Sequence, residues 1–319
     1  MDSPIPILKL DDTPECTNAI LAAARDLGFL YISLENSGIS PSEVDQLFAI
    51  SKQFFKETPT ADKAACSISA DNKGWSAEHS EVLDPEAQKR GDFKQAFNLG
   101  EFSLSGHAQQ PLPPLLQSQE PYLSHFTQLC QKLSQKLLSH FSTALGLDPT
   151  YFHASHTPET GPSGSILRLL FYPAVPADFG SDPSDMRAGA HSDYGSLTLL
   201  FQRPGQPGLE ILMPKSAGGG WRKVPVIENA VCVNIGDLLS YWTGGLLKST
   251  VHRVVGQKGG EERFSVAYFC HPVNTTRLER IPSEMVREMG ERGANEGKVL
   301  TAMEHLEGRL AATYGWKKK

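Results

Sequence analysis

The sequence contains little cysteine and no long apolar run. Its 319 residues include five cysteines, which are scattered and form no Cys-x-x-Cys pair, so a disulfide framework or a thiolate zinc site is disfavoured. No apolar stretch approaches the roughly 18 residues that would span a bilayer. The first residues, Met-Asp-Ser-Pro-Ile-Pro, lack the basic flank and apolar segment of a secretory signal. We therefore expect a cytoplasmic protein without a membrane anchor.

Positive charge is also scarce. Lys and Arg total 30 against 36 Asp and Glu, which gives a formal net charge of −6. An acidic chain has no general attraction for phosphate backbones or anionic membranes. The composition therefore predicts no nucleic-acid partner and no membrane partner. No segment indicates an obligate protein partner.

The N-terminal part carries clear helix starts. Thr13 and Ser40 each precede a proline at the first helical position, and Glu43 completes a capping box with Ser40. Between the two helices, residues 29–34 read as a strand. Residues 58–92 are polar and predicted to be irregular, and a strand is expected over 93–99.

The most regular helical pattern lies at residues 121–145, where apolar side chains recur every three or four positions. We expect this helix to brace a sheet. Downstream, six short apolar or β-branched runs are separated by Gly, Pro, Asn and Asp; they are residues 166–172, 196–201, 208–213, 230–235, 249–255 and 263–270. Because no connection has room for regular crossover helices, an antiparallel barrel or sandwich is favoured. The triple glycine at 218–220 is interpreted as a hairpin turn, and 282–315 as helical.

A histidine and a carboxylate two residues apart suggest a metal site. On a strand, His191 and Asp193 project from the same face, and His252 lies in another predicted strand. Two imidazoles and one carboxylate leave coordination positions free, which is the arrangement of non-haem iron(II) oxygenases. The triplets His79-Ser-Glu81 and His305-Leu-Glu307 have the same spacing, but we interpret them as exposed polar residues.

A second pair of side chains on one face of a predicted strand is suited to binding an anion. Arg263 and Ser265 are also two residues apart, and a guanidinium beside a hydroxyl can grip a carboxylate in a bidentate manner. A structural salt-bridge network is the alternative interpretation of this pair.

Together these segments resemble the iron(II)- and 2-oxoglutarate-dependent dioxygenases, in the branch that includes isopenicillin N synthase. The resemblance rests on residues 28–29, 91–97, 189–200, 233–238, 248–255 and 263–265. It implies a fold that is mainly β with flanking helices (α+β), built on a double-stranded β-helix (jelly-roll) barrel core. The expected division is an N-terminal α/β region over 1–115, a bracing helix over 116–150, the cofactor-binding core over 151–275 and a C-terminal helical segment over 276–319.

The resemblance also implies residue roles. His191, Asp193 and His252 match the iron ligands, and Arg263 and Ser265 match the pair that holds the distal carboxylate of 2-oxoglutarate. Tyr172 matches a tyrosine that adds a hydroxyl to that pair, although Leu170 replaces an asparagine common in relatives.

Four further residues are candidate contacts of the substrate. Arg168 shares a strand face with Tyr172, and either reaches the substrate or cosubstrate or pairs with a buried acid. The other three candidates are Trp75, Phe93 and Phe97, together with the stretch after residue 301.

The implied activity is that of an oxygenase of secondary metabolism with Fe(II), 2-oxoglutarate and O2, and with ascorbate to keep the iron reduced. It oxidises an unactivated C–H bond of a small molecule by hydroxylation, desaturation or cyclisation, and releases succinate and CO2. Three alternatives are an oxidase or cyclase of the same fold that does not consume 2-oxoglutarate, a zinc hydrolase, and a barrel that only binds a ligand.

Overall fold

A computed structural model of the chain describes residues 5–175, 179, 185–256, 259–289 and 299–314. Its α-helices are α1 (Pro14–Asp26), α2 (Pro41–Glu57), α3 (Thr60–Ala64), α4 (Pro114–Ser118), α5 (Glu120–Ala144), α6 (Tyr151–Ser155), α7 (Asp237–Trp242), α8 (Glu284–Glu288) and α9 (Ala302–Tyr314). Its strands are β1 (Ile7–Leu8), β2 (Phe29–Ser33), β3 (Gly74–Ser76), β4 (Gln95–Leu99), β5 (Ile166–Tyr172), β6 (Ala188–His191), β7 (Leu197–Gln202), β8 (Leu209–Leu212), β9 (Trp221–Lys223), β10 (Ala230–Ile235), β11 (His252–Val254) and β12 (Arg263–Cys270).

The first two helices begin where the local sequence predicts. The Thr13 hydroxyl accepts a backbone N–H in the first turn of α1. At the start of α2, the Ser40 backbone N–H donates to Glu43 Oε2 at 2.7 Å and the Glu43 backbone N–H donates to Ser40 Oγ at 3.3 Å. The predicted capping box is therefore confirmed, and it satisfies backbone donors that the helix itself leaves unpaired.

The long helix α5 lies along the large sheet. It begins and ends one residue earlier than predicted, and its buried face is formed by Leu123, Phe126, Cys130, Leu133, Leu137 and Phe141. Phe126 packs edge-to-face against Phe201 of β7, with ring centroids 5.3 Å apart. This contact confirms that the helix braces the sheet.

The strands form two sheets. One has eight strands in the order β1-β2-β10-β7-β12-β5-β4-β3, and the other has four in the order β6-β11-β8-β9. Every strand pair is antiparallel except β1 with β2, among the residues that the structure describes. Apolar side chains of both sheets share a second core, so the sheets face each other. The jelly-roll prediction is confirmed, and the antiparallel β8–β9 pair agrees with a hairpin turn at 218–220.

Strand β5 shows that the two faces of the large sheet contact different parts of the protein. Leu167, Leu169 and Phe171 belong to the core shared with the helices. The alternate residues Arg168 and Tyr172 point to the opposite face, toward the smaller sheet. One face of the large sheet thus packs against the helices, and the other can line a binding site between the two sheets.

Several predicted element boundaries were wrong. The segment 58–92 contains α3 and β3, and the strand expected over 93–99 begins only at Gln95. The run expected over 249–255 pairs only at His252–Val254. Strands β1 and β9 were not predicted, because each is short and carries little hydrophobic alternation, and the strand assumed for the His191–Asp193 segment, β6, ends at His191.

The predicted helical stretch after residue 282 is borne out by α8 and α9, while 290–298 and 315 lie outside the described residues. The N-cap of α9 carries a capping box: the Thr301 backbone N–H donates to Glu304 Oε2 at 2.9 Å, and the Glu304 backbone N–H donates to Thr301 Oγ1 at 3.2 Å. In the described part of the chain, no helix combines the length and apolarity needed to cross a membrane.

Candidate active site

A cavity lies between the two sheets, with α9 along one side. It holds about 1010 Å³ of empty space, counting its opening to solvent. The larger sheet contributes Arg168 and Tyr172, Lys94 lies just before β4, and Leu306 and Leu310 of α9 add apolar surface. The cavity therefore has charged and apolar walls within one enclosure.

His191, Asp193 and His252 meet at this cavity. One ligand atom from each lies within 4.8 Å of the other two. Asp193 Oδ1 is 3.6 Å from His252 Nε2 and 3.9 Å from His191 Nε2. Antiparallel pairing of β6 with β11 places His191 directly opposite His252. His191 ends β6, and Asp193 follows beyond the strand, so irregular backbone rather than a continuous strand positions the carboxylate.

Hydrogen bonds fix the orientation of all three side chains. The Nδ1 atoms of His191 and His252 face the carbonyl oxygens of Gly189 (2.7 Å) and Thr250 (3.0 Å). A carbonyl only accepts, so Nδ1 carries the proton in each ring and Nε2 presents its lone pair to the cavity. These are the donor atoms that a metal ion requires.

The electrostatics of the triad favour an anionic carboxylate beside imidazoles. Burial alone would raise the pKa of Asp193, but His252, His191 and an Asn234 hydrogen bond hold that pKa below its usual value. Burial and the neighbouring His252 lower the pKa of His191 to about 4. Burial would also lower the pKa of His252, yet Asp193 raises it overall. A metal cation bound by the carboxylate and the two imidazoles would suit this donor set.

Arg263 is a buried charge at the other end of the cavity. The residue is 2% exposed, and its guanidinium donates to Ser265 Oγ at 3.0 Å, Gln202 Oε1 at 3.2 Å and the Gln206 carbonyl at 3.2 Å. Within the described ranges, no carboxylate pairs with it. Since a lone buried cation is costly, the site calls for an anionic ligand, and a salt-bridge network is not what the pair forms.

Tyr172 lies in the same row of the sheet. Strand pairing puts it opposite Arg263, and the guanidinium carbon is 4.8 Å from the centroid of the tyrosine ring. Arg263, Ser265 and Tyr172 thus share one end of the cavity.

A buried cluster of four charges, which we call the four-charge wall, adjoins the cavity, and two of its members, Lys94 and Arg168, line it. Arg168 donates to both oxygens of Glu81 at 2.6 Å, and Lys94 Nζ lies 3.1 Å from Glu81 Oε2. Lys94 also pairs with Asp92, which in turn accepts the backbone N–H of Gly189 at 2.9 Å. Of the two interpretations of Arg168, pairing with a buried acid is confirmed. Arg168 nevertheless still lines the cavity.

The residue Glu81 was misjudged as exposed. His79 is indeed exposed, but only 3% of the Glu81 surface is accessible. Its partner Arg168 comes from a distant part of the chain and Lys94 from beyond the local segment, so the polar composition around Glu81 could not reveal the burial. Glu307 is exposed as expected, whereas His305 is half-buried.

The three aromatic candidates do not line the cavity. Phe97 pairs with Leu169 in the sheet and faces the helices, where its ring packs against Phe54 at 5.2 Å. Trp75 pairs with Phe97 and packs against the same core. Phe93 precedes β4 and contacts other rings outside the cavity. None of these three side chains lines the cavity, whereas Leu306 and Leu310, from the stretch after residue 301, do line it; contact with a substrate stays a prediction.

Sequence reasoning missed the residues that hold Asp193. Its Oδ2 accepts from Thr198 Oγ1 at 2.6 Å and from Asn234 Nδ2 at 2.7 Å. Both donors are buried and come from neighbouring strands β7 and β10. A buried polar residue inside an apolar strand is the signal that would have identified them, because such a residue needs a partner.

The comparisons with known proteins agree with this geometry. A family model described as the 2OG-Fe(II) oxygenase superfamily matches residues 163–272, and one described as the N-terminal region of a non-haem dioxygenase in morphine synthesis matches residues 5–118. The Schizosaccharomyces pombe protein UPF0676 protein C1494.01 is 35% identical over 97% of this chain and 92% of its own length. The 2-oxoglutarate-dependent dioxygenase caaD of Aspergillus niger is 31% identical over 81% of this chain and 78% of its own.

A solved structure is similar along almost the whole chain. A full-length Neurospora crassa protein, crystallised with alpha-KG and thymine, superposes with a TM-score of 0.80 at 32% identity, covering 97% of this chain and 96% of that one.

The fold and the facing triad define a non-haem iron oxygenase of the jelly-roll type. The chain belongs to the iron(II)- and 2-oxoglutarate-dependent dioxygenase family. It is an enzyme that takes Fe(II) and 2-oxoglutarate, and oxidises a C–H bond of a small organic molecule with release of succinate and CO2. A zinc hydrolase and an inert ligand-binding barrel are therefore rejected.

Proposed function

We propose that His191, Asp193 and His252 hold the iron and that Arg263, Ser265 and Tyr172 hold 2-oxoglutarate. The observation that carries this proposal is the convergence of three ligand atoms within 4.8 Å in a cavity whose other end presents a buried guanidinium. When bound, the iron supplies the activation of O2 that couples oxidation of 2-oxoglutarate to oxidation of the substrate.

The residues have separate tasks in this proposal. The imidazoles offer Nε2, since their Nδ1–H groups are engaged by backbone carbonyls, and Asp193 offers Oδ1, since Oδ2 is held by Thr198 and Asn234. Arg263 and Ser265 neutralise and hydrogen-bond the distal carboxylate of the cosubstrate. The buried setting excludes water, which strengthens these interactions.

The substrate we propose is an uncharged small molecule. Of the four-charge wall, Arg168 and Lys94 line the cavity and are balanced by Glu81 and Asp92, so the cluster as a whole carries no net charge. Apolar surface in the same cavity comes from side chains such as Leu83, Leu306 and Phe269. A compound with its own charge would disturb a wall that is already neutral.

Two similar proteins suggest which candidate substrates to test first. The similar proteins include a proline hydroxylase of Petromyces alliaceus and the Neurospora crassa structure with bound thymine. Thymine is uncharged and carries amide groups that match a polar wall, so it is the first compound to test here. With a net charge of −6 and thiols such as Cys130 and Cys232 buried, we propose a cytoplasmic enzyme that acts on free small molecules rather than nucleic acid.

The test is a screen for succinate release with Fe(II), ascorbate and 2-oxoglutarate under air, with each candidate compound added in turn. His191→Ala should abolish both the stimulated release and the binding of Fe(II). His125→Ala, which alters an exposed histidine paired with Glu43, is the matched control and should retain both. Full turnover in His191→Ala would refute the metal site. Substrate oxidation without succinate would instead identify an oxidase that does not consume 2-oxoglutarate.

A further inference from the structure

Asp237 connects parts of the molecule that are far apart in sequence. It begins α7, and its Oδ1 accepts from Ser249 Oγ at 2.6 Å. Its Oδ2 accepts from Ser192 Oγ at 3.0 Å and from Arg309 Nη2 at 2.8 Å. Its backbone N–H donates to the Asp193 carbonyl at 2.7 Å. One carboxylate therefore binds three side chains and is anchored next to a residue of the triad.

The two serines belong to the segments that carry the triad. Ser192 stands between His191 and Asp193, and Ser249 lies shortly before His252 in the chain. The β6–β11 ladder that joins these segments is short, and its register is irregular between His252 and Val254. Backbone pairing alone thus constrains the segments weakly at this end, and the carboxylate of Asp237 adds a bond to each of them.

Arg309 extends this connection to the C-terminal helix. Its Nη2 also donates to Ser192 Oγ at 3.3 Å, and its guanidinium carbon lies 5.2 Å from the centroid of the Tyr194 ring. Tyr194 lines the cavity, as do Leu306 and Leu310, which are three residues before and one residue after Arg309 on the helix. The same helix face that borders the cavity therefore also reaches the segment that carries His191 and Asp193.

We propose that Asp237 and Arg309 are positioning residues that hold the triad segments in place and make metal binding depend on the docking of α9. We refer to Ser192, Asp237, Ser249 and Arg309 as the clasp. The inference rests on the proposed role of the triad as metal ligands. It adds that the C-terminal helix, which supplies no ligand, contributes to the metal site through the clasp.

The exposure of Arg309 makes this role separable from general stability. Its side chain is 42% exposed, against 16% for Asp237, so replacing Arg309 should change the free energy of unfolding little. A purely structural pair would leave metal affinity unchanged when broken. Groups that orient metal ligands, by contrast, alter metal affinity when they are removed.

The experiment titrates the full chain, with 2-oxoglutarate present, with Co(II) as a spectroscopic stand-in for Fe(II). Asp237→Asn and Arg309→Gln should each weaken Co(II) affinity about tenfold and alter the Co(II) absorption bands. Arg309→Lys should recover much of the affinity, since it keeps the charge. Arg277→Gln, which breaks an exposed ion pair with Glu279, is the matched control and should bind as the wild type does.

The outcomes separate the two proposals. If Arg309→Gln keeps wild-type Co(II) affinity and spectrum while His191→Ala loses them, the clasp is overturned and the metal site stands. If His191→Ala binds Co(II) as tightly as the wild type, the proposed metal site itself fails. Should Asp237→Asn not fold, Arg309→Gln decides, because its partly exposed side chain can be replaced without opening the core.

Discussion

Asn234 donates its side-chain amide to Oδ2 of Asp193 at 2.7 Å, while Oδ1 of the same carboxylate lies 3.6 Å from Nε2 of His252. The two oxygens are thus used differently: one is held by the protein, and the other faces the imidazoles. Thr198 donates to the held oxygen as well, at 2.6 Å. With both donors in place, the carboxylate cannot rotate without breaking buried hydrogen bonds.

Replacement of Asn234 by alanine should therefore weaken metal binding. The variant leaves Thr198 as the remaining side-chain donor to Oδ2, and loss of such orienting partners typically lowers metal affinity by about 10- to 100-fold. Titration with Fe(II) under anaerobic conditions measures the effect. Asn18→Ala, on the exposed face of α1, is the control and should bind metal normally. Equal affinities for the two variants would show that the amide has no part in orienting Asp193.

Arg263→Met should raise the dissociation constant of 2-oxoglutarate. Removal of charge-assisted hydrogen bonds, each contributing roughly 1.5–3 kcal/mol, predicts a loss of about 10- to 100-fold. Titration of 2-oxoglutarate into the metal-loaded enzyme measures it. Metal affinity without 2-oxoglutarate should not change, because Arg263 touches none of the triad.

Two related variants sharpen that test. Arg263→Lys keeps a charge but not the planar fork, so its affinity for 2-oxoglutarate should lie between those of the wild type and the methionine variant. Arg253→Met, which removes a guanidinium paired with Glu210 at 2.8 Å, is the matched control. An equal loss in Arg253→Met would mean that the effect is general and does not arise from a carboxylate site.

The elements that sequence predicts well are those set by local patterns. The bounds of β5, β10 and β12 agree with the prediction to the residue, because each is a mainly apolar or β-branched run between polar or glycine-rich segments. The starts of α1 and α2 agree because their caps are formed by side chains within the first turn. The triad was also predictable, since the residue types and their order match a family pattern.

The rest of the site depends on pairings that local patterns cannot show. Phe97 and Trp75 were expected near substrate, but the register of β4 against β5 turns both toward the helices. Glu81 lies in a polar segment, and its ion pairs with Arg168 and Lys94 explain its burial. Such features follow from strand register and long-range ion pairs, so periodicity along one segment does not report them.

The four-charge wall should be sensitive to the loss of one partner. Glu81→Leu leaves Arg168 and Lys94 with only Asp92 as counter-charge in the wall, and breaking a buried ion pair in this way costs about 3–5 kcal/mol of unfolding free energy. Urea unfolding measures the change. Glu279→Leu, at an exposed ion pair with Arg277, should change stability by less than about 1 kcal/mol.

A double variant separates charge imbalance from lost packing in the same wall. Glu81→Leu combined with Arg168→Leu removes one charge of each sign, so the double variant should be more stable to urea than Glu81→Leu alone. If the second substitution instead adds to the destabilisation, the cost of the first does not come from an unbalanced charge.

His156 should make the protein less stable as the pH falls from neutrality. Burial lowers its pKa from 6.5 to about 4, and its ring nitrogens bond to the Phe152 carbonyl at 2.6 Å and to Ser196 Oγ at 2.9 Å. At a pH between the two pKa values of His156, the unfolded chain binds a proton that the folded chain does not, so the free energy of unfolding falls as the pH falls. His156→Gln removes the titrating group, and its loss of stability from pH 7 to pH 5 should be smaller by on the order of 2 kcal/mol. Denaturant titrations at the two pH values test this, with His125→Gln at an exposed site expected to follow the wild type; identical pH dependence in all three proteins would contradict the assignment.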